Sequence, residues 1–210
     1  MPKFLKDALI LCVITVTAGL LLGLVYEVTK DARAEQEVRK QKEACEAVLA
    51  EADTFEEADY DAAGAEAYIS QAGISSAEVT VDAVMAAKDS AGAVMGYVIT
   101  VTPTEGYGGD IQFTVGILKD GTVSGVSILS IGETPGLGMK AKETDFLEQF
   151  SDIKTKKFAY TKTGKGKPAE EKAEIDAISG ATITTKAMVK GVNTAILCFD
   201  YLTGKEDSNE

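Results

Sequence analysis

The chain has 210 residues, enough for one domain of ordinary size together with a membrane anchor. It carries 33 Asp and Glu residues against 21 Lys and Arg, which gives a formal charge of −12 at pH 7. This charge speaks against nucleic acid as a partner, because a phosphate backbone needs a basic face, and against general adhesion to an anionic membrane surface. The sequence has no His and no Cys-x-x-Cys pair, so we expect no metal or iron–sulfur site within the chain. Its three cysteines give no disulfide framework and leave open whether Cys45 and Cys198 pair.

An uncharged run from Ala8 to Tyr26 follows Lys3 and Lys6. At a rise of about 1.5 Å per residue this run approaches the roughly 30 Å of a bilayer core, which predicts a transmembrane helix over residues 8–26. Because positive residues precede the run and acidic residues follow it, we expect residues 1–7 in the cytoplasm and the rest of the chain outside. A cleaved signal peptide is the competing interpretation, but the run is long for its apolar region and no convincing small-x-small cleavage site follows.

We expect residues 27–76 to form a juxtamembrane region of helix and linker. The stretch 27–57 is charged and rich in Ala, with apolar residues in loose helical spacing, and it predicts a helix. A merely solvated helical spacer is the better description of its charges. The stretch 59–76 is rich in Ala, Gly and acidic residues and predicts a connection with a short helix around Ala65 to Gln71.

Alternating apolar residues and turn signals predict an antiparallel sheet in the following part of the chain. The predicted strands are Val79–Met85, Ala93–Thr102, Ile111–Ile117 and Val123–Leu129. The first two are joined at Asp89–Gly92 and the last two by an Asp120-Gly121 turn. With the helices described below, these strands predict an α+β domain over residues 77–204, in which an antiparallel sheet packs against a few helices.

Two segments after the predicted strands carry weaker signals. Residues 141–150 predict a short helix with Phe146, Leu147 and Phe150 facing inward. Residues 154–167 form a basic patch that predicts a solvated hairpin, and they lack the Gly-Lys-Ser/Thr order of a P-loop. Residues 205–210 predict a polar tail.

The apolar run from Ile175 to Ile178 predicts a strand, which meets Ser179-Gly180 within the stretch from Asp176 to Thr182. An amphipathic helix then begins. The apolar residues of that helix are Met188, Val189, Val192, Ala195, Ile196, Phe199 and Leu202. A helix that begins in this way directs its free N–H groups and its positive dipole end toward the preceding turn. With hydroxyls on Ser179, Thr182 and Thr184, this is a site for an anion such as phosphate, although Ser179 or Thr182 could simply be an N-cap.

Two further motifs stand before this stretch. Gly106-Tyr107-Gly108-Gly109 is not a dinucleotide fingerprint, because Ile111 stands in place of the third glycine and a strand follows. The sequence Glu133-Thr134-Pro135-Gly136-Leu137-Gly138 has restricted backbone before Pro135 and free backbone after it, so it can lay peptide groups against a planar ring. An ordinary rigid turn is the alternative interpretation.

Taken together, these three motifs resemble the covalent-FMN subunits of two related membrane complexes: the G subunit of the Rnf ion-pumping electron-transport complex, and the C subunit of the sodium-translocating NADH:quinone reductase. The resemblance covers nearly the whole chain, and the motifs occur in the family's order. In that family, Asp-x-x-Ser/Thr-Gly-Ala-Thr is the recognition sequence of a flavin transferase, which esterifies the FMN phosphate to the last Thr. That residue is Thr182 in this sequence.

The resemblance implies cofactor contacts from two stretches and one neighbouring lysine: Ser179, Gly180, Ala181 and Thr182; Glu133, Thr134, Pro135, Gly136, Leu137 and Gly138; and Lys140. It implies recognition by the transferase through Asp176, Ser179, Gly180, Ala181 and Thr182. The family's function is electron transfer in a complex of the cell's inner membrane that couples ferredoxin oxidation, with NAD⁺ as acceptor, to ion translocation. The implied partners are the other subunits, the transferase and the lipid bilayer, and the implied domain 77–204 is an extracytoplasmic flavin domain with no catalytic acid or base of its own.

One departure from the family pattern is the region before Glu133. Many members carry a His there, whereas this chain reads Ser130-Ile131-Gly132, so no role of that His is carried over. Two other functions stay open from the sequence: a free-standing anchored flavoprotein, and a cofactor-free anchored scaffold in which Ser179 to Thr182 is a helix cap.

Overall fold

The computed structural model describes residues 2–169 and 171–206. Its contacts divide the chain into two units, one up to Lys42 and one from Glu43 onward. The first unit is the greater part of helix α1 (Lys3–Val48), whose apolar side chains between Phe4 and Val28 are exposed. By length and composition this helix can cross a membrane, and it contains the predicted span 8–26.

The second unit is built on a sheet of six strands. In order across the sheet these are β1 (Thr54–Glu57), β2 (Val79–Lys88), β3 (Val94–Pro103), β4 (Ile111–Leu118), β5 (Thr122–Ile131) and β6 (Ile153–Lys154), and all neighbours are antiparallel. The predicted antiparallel sheet and both predicted strand pairs are confirmed. The Asp120-Gly121 turn is also as expected, since the Gly121 N–H donates to the Leu118 carbonyl at 2.8 Å and Gly121 has a φ of +86°.

One face of the sheet packs against helix α4 (Thr182–Glu206). The alternation of β4 places Phe113 in this core, and the helical spacing of α4 places Met188 and Val192 against it; all three are fully buried. Gly191 brings the helix backbone onto the sheet, because a Cβ there would lie 2.5 Å from the Phe113 ring. The helix is therefore seated directly on the central strands.

The other face of the sheet is covered by the last turn of α1 and the residue that follows it. Cys45, Val48 and Leu49 are buried in a smaller cluster with residues of β2 and β3. The Ser124 hydroxyl donates to the Val48 carbonyl at 2.5 Å, and Gly116 leaves room for this approach. The compact unit thus begins at Glu43, N-terminal to the boundary at residue 77 that the sequence predicts. The covering residues are hard to recognise because they are few and lie in a charged helix.

The predicted helix over 27–57 ends at Val48, and β1 forms within the predicted range instead. This edge strand is only four residues long, and its pairing with β2, which places Phe55 opposite Ala87, is a tertiary contact that local propensity does not reveal. The short helix expected around Ala65 to Gln71 is confirmed as α2 (Ala62–Gln71), which begins three residues earlier and whose first turn is capped by the Asp61 carboxylate.

The predicted helix over 141–150 is broken into shorter pieces. A 3₁₀ segment (Gly138–Lys142), helix α3 (Thr144–Leu147) and a second 3₁₀ segment (Glu148–Phe150) follow one another. Phe146 and Phe150 are buried as expected, and Leu147 is half-buried.

The predicted hairpin over 154–167 is wrong. Strand β7 (Phe158–Thr161) pairs in parallel with β8 (Ala173–Asp176). The cause is tertiary: Phe158 is buried in the core, and the Asn193 side chain on α4 accepts from its N–H at 2.7 Å and donates to its carbonyl at 2.9 Å. Of the predicted tail, residues 205–206 belong to α4 and residues 207–210 lie outside the described residues.

We expect Gly191→Ala to lower the free energy of unfolding by about 1–3 kcal/mol, because the added Cβ forces α4 away from Phe113. Gly204→Ala is the matched control in the same helix, since nothing lies within 4 Å of a Cβ there. It should leave stability unchanged or raise it by up to about 1 kcal/mol. Denaturant unfolding of the full-length protein in detergent measures both, and equal stability of the two variants would contradict the packing described here.

Candidate functional site

Two glycine-containing turns face each other at one end of the domain. In the first, the Leu137 N–H donates to the Thr134 carbonyl at 3.2 Å, with Pro135 second and Gly136 third at a φ of +77°. In the second, the Ala181 N–H donates to the Ile178 carbonyl at 3.0 Å, with Gly180 third at a φ of +79°. Both have the hydrogen bond and the positive third φ of a type II turn, which side chains other than Gly and Asn rarely tolerate.

The second turn leads directly into α4, whose first residue is Thr182. The Thr185 hydroxyl closes this junction by accepting from the Ile178 N–H at 3.1 Å and donating to the Ala181 carbonyl at 3.0 Å. Within the described residues, the hydroxyls of Ser179 and Thr182 make no hydrogen bond, so neither acts as the helix cap. The half-buried Thr182 hydroxyl remains available to another group.

Between the two turns lies a cavity of about 510 Å³. This volume is within the range of about 300–1,000 Å³ that holds small molecules and cofactors. The residues that line it are Tyr107, Glu133, Thr134, Leu137, Gly138, Gly180, Ala181, Thr182, Ile183 and Thr184. The structure therefore brings together residues of all three sequence motifs, which are far apart in the chain.

Some residues singled out in the sequence do not line the cavity. Pro135 and Gly136 are the central residues of the first turn but do not line the cavity. Ser179 is exposed in the second turn, and Lys140 is exposed in the 3₁₀ segment that follows the first turn. Asp176 lies in β8, away from the lining.

Two lining residues, Tyr107 and Ile183, were not expected from the sequence. Thr184, whose hydroxyl the sequence places at the same spot as those of Ser179 and Thr182, lines the cavity together with Thr182. The glycines around Tyr107 are a sequence signal for a close backbone approach. The structure shows that approach: a Cβ at Gly108 would collide with the Gly132 carbonyl, so the Tyr107 loop lies against the start of the Glu133 loop. No local signal distinguishes Ile183 from the other residues of the first turn of α4.

The rim of the cavity is apolar and exposed. Tyr107, Leu137 and Ile183 are 72%, 44% and 51% exposed, although each has a large apolar body. One exposed apolar side chain is ordinary, but several grouped around one cavity mark a surface for a ligand or partner. Their arrangement around one opening suits a flat, largely apolar group.

The interior of the cavity is polar. Glu133 is only 5% exposed, and its Oε1 accepts from the Tyr107 N–H at 2.8 Å. Thr184 is fully buried, and its hydroxyl has no hydrogen-bond partner. Both groups crowd Gly138, because a Cβ there would lie 2.5 Å from Glu133 Oε2 and 2.7 Å from Thr184 Oγ1. This crowding explains why glycine ends the Glu133 to Gly138 motif.

A cluster of charges fixes the loop that carries Tyr107. Lys190 Nζ lies 2.6 Å from Glu78 Oε1 and 2.6 Å from Glu105 Oε2, and Glu105 stands two residues before Tyr107. Burial alone would lower the pKa of Lys190, but its hydrogen bonds to the two carboxylates outweigh burial and raise that pKa. The contact with Lys190, together with the Ser75 N–H, lowers the pKa of Glu78. Helix α4 thus ties the Tyr107 loop to the domain.

Asp176 has its own set of partners outside the cavity. Its Oδ1 accepts from the Gly166 N–H at 3.0 Å, and the Gln149 side chain accepts from its backbone N–H at 2.6 Å. The carboxylate therefore holds the loop between β7 and β8 close to the strand that precedes the second turn.

The two buried cysteines are unreactive by environment. Burial raises the pKa of Cys45 to about 11, with Glu46 adding to the effect, and burial raises the pKa of Cys198 to about 12. Both are free thiols, as is the exposed Cys12. Over the described residues, no group of His, Cys, Asp and Glu side chains is arranged to hold a metal ion.

We expect Lys190→Met to destabilise the domain at pH 7. The folded-state pKa of Glu78 lies below its ordinary value of 4.5. The contact between Lys190 and Glu78 therefore adds to the free energy of unfolding above about pH 4.5, and this stabilisation is lost as the pH falls through the folded-state pKa. The difference in thermal midpoint between wild type and Lys190→Met should accordingly narrow below pH 4.5. Thermal unfolding of the full-length protein across pH 3 to 7 measures it.

Lys186→Met is the control for this variant, since Lys186 lies 4.0 Å from the same Glu105 carboxylate but is 59% exposed, against 16% for Lys190. It should change the midpoint little. A difference between wild type and Lys190→Met that is the same at every pH would contradict an ionic role for Lys190.

The segment that forms the cavity is similar to a known family of protein domains. The model of the FMN-binding domain family matches residues 106–197, a range that contains every residue lining the cavity. The crystal structure of NqrC from Shewanella oneidensis is similar with a TM-score of 0.46 and 21% identity, over 58% of this chain and 61% of that one.

Three relatives are similar over almost their whole length. The G subunit of the Na⁺-translocating ferredoxin:NAD⁺ oxidoreductase complex of Acetobacterium woodii is 35% identical, over 94% of this chain and 92% of the relative. The G subunit of the proton-translocating complex of Clostridium ljungdahlii is 30% identical (95% and 91%), and that of the ion-translocating oxidoreductase complex of Methanosarcina acetivorans is 31% identical (96% and 95%). With this similarity over nearly the full length, and an FMN-binding domain over the segment that forms the cavity, the chain belongs to the family of G subunits of ion-translocating oxidoreductase (Rnf) complexes.

Proposed function

We propose that this protein is an electron-transfer subunit of a membrane ion-translocating ferredoxin:NAD⁺ oxidoreductase complex, and that it carries FMN attached through a phosphoester to Thr182. The observation that carries the proposal is the cavity that joins the free Thr182 hydroxyl at the start of α4 to the Glu133 to Gly138 loop. Family membership supports the function, and the cavity supports the place of the cofactor.

The start of α4 suits the phosphate. Thr182 is the first residue of a helix of 25 residues, so the N–H groups of the first turn and the positive end of the helix dipole face the position where a phosphodiester on its hydroxyl would lie. Gly180 and Ala181 line the cavity beside it with little side chain in the way. The anionic linkage would therefore be stabilised without a basic side chain.

The rest of the cavity suits the flavin. FMN supplies electron transfer through its isoalloxazine ring, and the protein supplies position and environment. The exposed faces of Tyr107, Leu137 and Ile183 offer apolar contact to a planar ring, and Glu133 and Thr134 offer polar contact beside them. Such a carrier needs no general acid or base of its own, and we assign none.

The remaining residues of the motifs would act without lining the cavity. Pro135 and Gly136 would hold the first turn in its conformation, and Lys140 would place a positive charge shortly after Gly138. Ser179, exposed beside Thr182, would belong to the surface that the flavin transferase recognises.

For the anchor, we propose that α1 crosses the inner membrane once, with residues 1–7 in the cytoplasm and the flavin domain outside. The long apolar helix and the positive residues before its apolar part support this arrangement. The proposed partners are the other subunits of the complex, the lipid around the anchor and, transiently, the flavin transferase.

We expect Thr182→Ala to abolish covalent flavin, because no other hydroxyl in the cavity stands at the helix start with the same accessibility. The protein is co-expressed with a flavin transferase, denatured, and separated on a gel under ultraviolet light. Wild type and Thr144→Ala, which changes an exposed threonine outside the cavity, should both give a fluorescent band. A fluorescent Thr182→Ala band, or a dark wild-type band, would overturn the proposed linkage.

We also expect Asp176→Asn to lower the flavinylated fraction, on the proposal that the transferase recognises the carboxylate. Asn keeps an oxygen that can accept from the Gly166 N–H, so the loop contact survives while the charge is removed. The same gel assay, normalised to total protein, gives the fraction. If Asp176→Asn is flavinylated normally and only Asp176→Ala is impaired, the role of Asp176 is to hold the Gly166 loop and recognition of its charge is wrong.

A further inference from the structure

The described part of the chain contains two buried side-chain oxygens without a hydrogen-bond partner: Thr100 Oγ1 and Thr184 Oγ1. They differ in their surroundings. Thr100 lies in the middle of β3, and Thr184 lines the cavity. Burying a hydroxyl without a partner is unfavourable, so an orphan hydroxyl that faces a binding cavity indicates a partner on the ligand.

The neighbour of Thr184 restricts the chemistry of that partner. The Glu133 carboxylate and the Thr184 hydroxyl both lie within 2.7 Å of the position that a Gly138 Cβ would occupy, so they lie close to each other beside the Gly138 backbone. A buried carboxylate repels a second anion, which directs the phosphate away from Thr184. A hydroxyl can donate or accept, and a carboxylate only accepts. The pair therefore fits a neutral group that both donates and accepts hydrogen bonds.

We propose that Thr184 is a cofactor-binding residue whose hydroxyl hydrogen-bonds a neutral polar group of the tethered FMN, with Glu133 as the accompanying acceptor. This inference rests on the proposed function. Two parts of FMN have the required chemistry: the ribityl hydroxyls, and the edge of the ring that carries N–H and carbonyl groups. Thr184 and Thr182 line the same cavity, so a group of the cofactor tethered to Thr182 can lie beside Thr184.

The test compares Thr184→Val with Thr100→Val, which removes the other orphan hydroxyl far from the lining. Valine keeps the shape of threonine and removes only the hydrogen-bonding atom. Each full-length variant and the wild type are prepared with and without the flavin transferase, and flavin loading is read from the fluorescent band. The thermal midpoints of the flavinylated and flavin-free forms are then measured, together with the flavin absorption spectrum.

We expect both substitutions to leave the flavin-free midpoint unchanged or slightly raised, because each removes an unpaired buried hydroxyl. Flavinylation should raise the midpoint of wild type and of Thr100→Val equally. The gain for Thr184→Val should be smaller by about 2–4 °C, the effect of one lost hydrogen bond in a chain of this size. An unchanged flavin spectrum would then assign the bond to a ribityl hydroxyl, and a shifted spectrum would assign it to the polar edge of the ring.

Three results of this comparison would test the inference further. An equal gain for all three proteins overturns it and leaves the proposed function intact. A wild type without flavin overturns the proposed function and, with it, this inference. If Thr184→Val cannot be flavinylated, Thr184→Ser decides: restored loading supports a role for the hydroxyl, and absent loading contradicts it.

Discussion

The structure depends on the close contact between α4 and the central strands of the sheet. Gly191 allows the helix backbone to reach Phe113, and the same helix orders the rest of the domain from this position. Its first residue is Thr182, Lys190 binds the loop that carries Tyr107, and Asn193 fixes β7 through both backbone groups of Phe158. One rigid helix thus places the tether and the surrounding loops in a common frame, as a functional site requires.

The second constraint is the close approach of backbone around the cavity. Gly138 leaves the space that the Glu133 carboxylate and the Thr184 hydroxyl occupy, and Gly180 has the positive φ that turns the chain into α4. In each case a Cβ would either collide or strain the backbone. The glycines of these motifs are consequently part of the site even where they offer a ligand no chemical group.

The cavity is also electrostatically divided. The helix start near Thr182 is positive, and the buried Glu133 carboxylate near Thr184 is negative. An elongated ligand with an anionic end and a neutral polar end matches this distribution of charge. FMN has that form, with a phosphate at one end and a ribityl chain and ring beyond it. The absence of histidine from the sequence is compatible with a site that positions a cofactor and leaves redox chemistry to it.

The sequence by itself determined the features that depend on local periodicity and turn chemistry: the apolar N-terminal helix, four strands of the sheet, the Asp120-Gly121 turn and the helix that begins at Thr182. Its motifs also identified the two loops that meet at the cavity. Only the tertiary structure decided that β7 pairs in parallel with β8, that residues 43–49 cover the outer face of the sheet, and that Tyr107 and Ile183 line the cavity. The physical reason is that these contacts join residues far apart in the chain, and side-chain burial and orphaned hydrogen bonds exist only after the elements have packed.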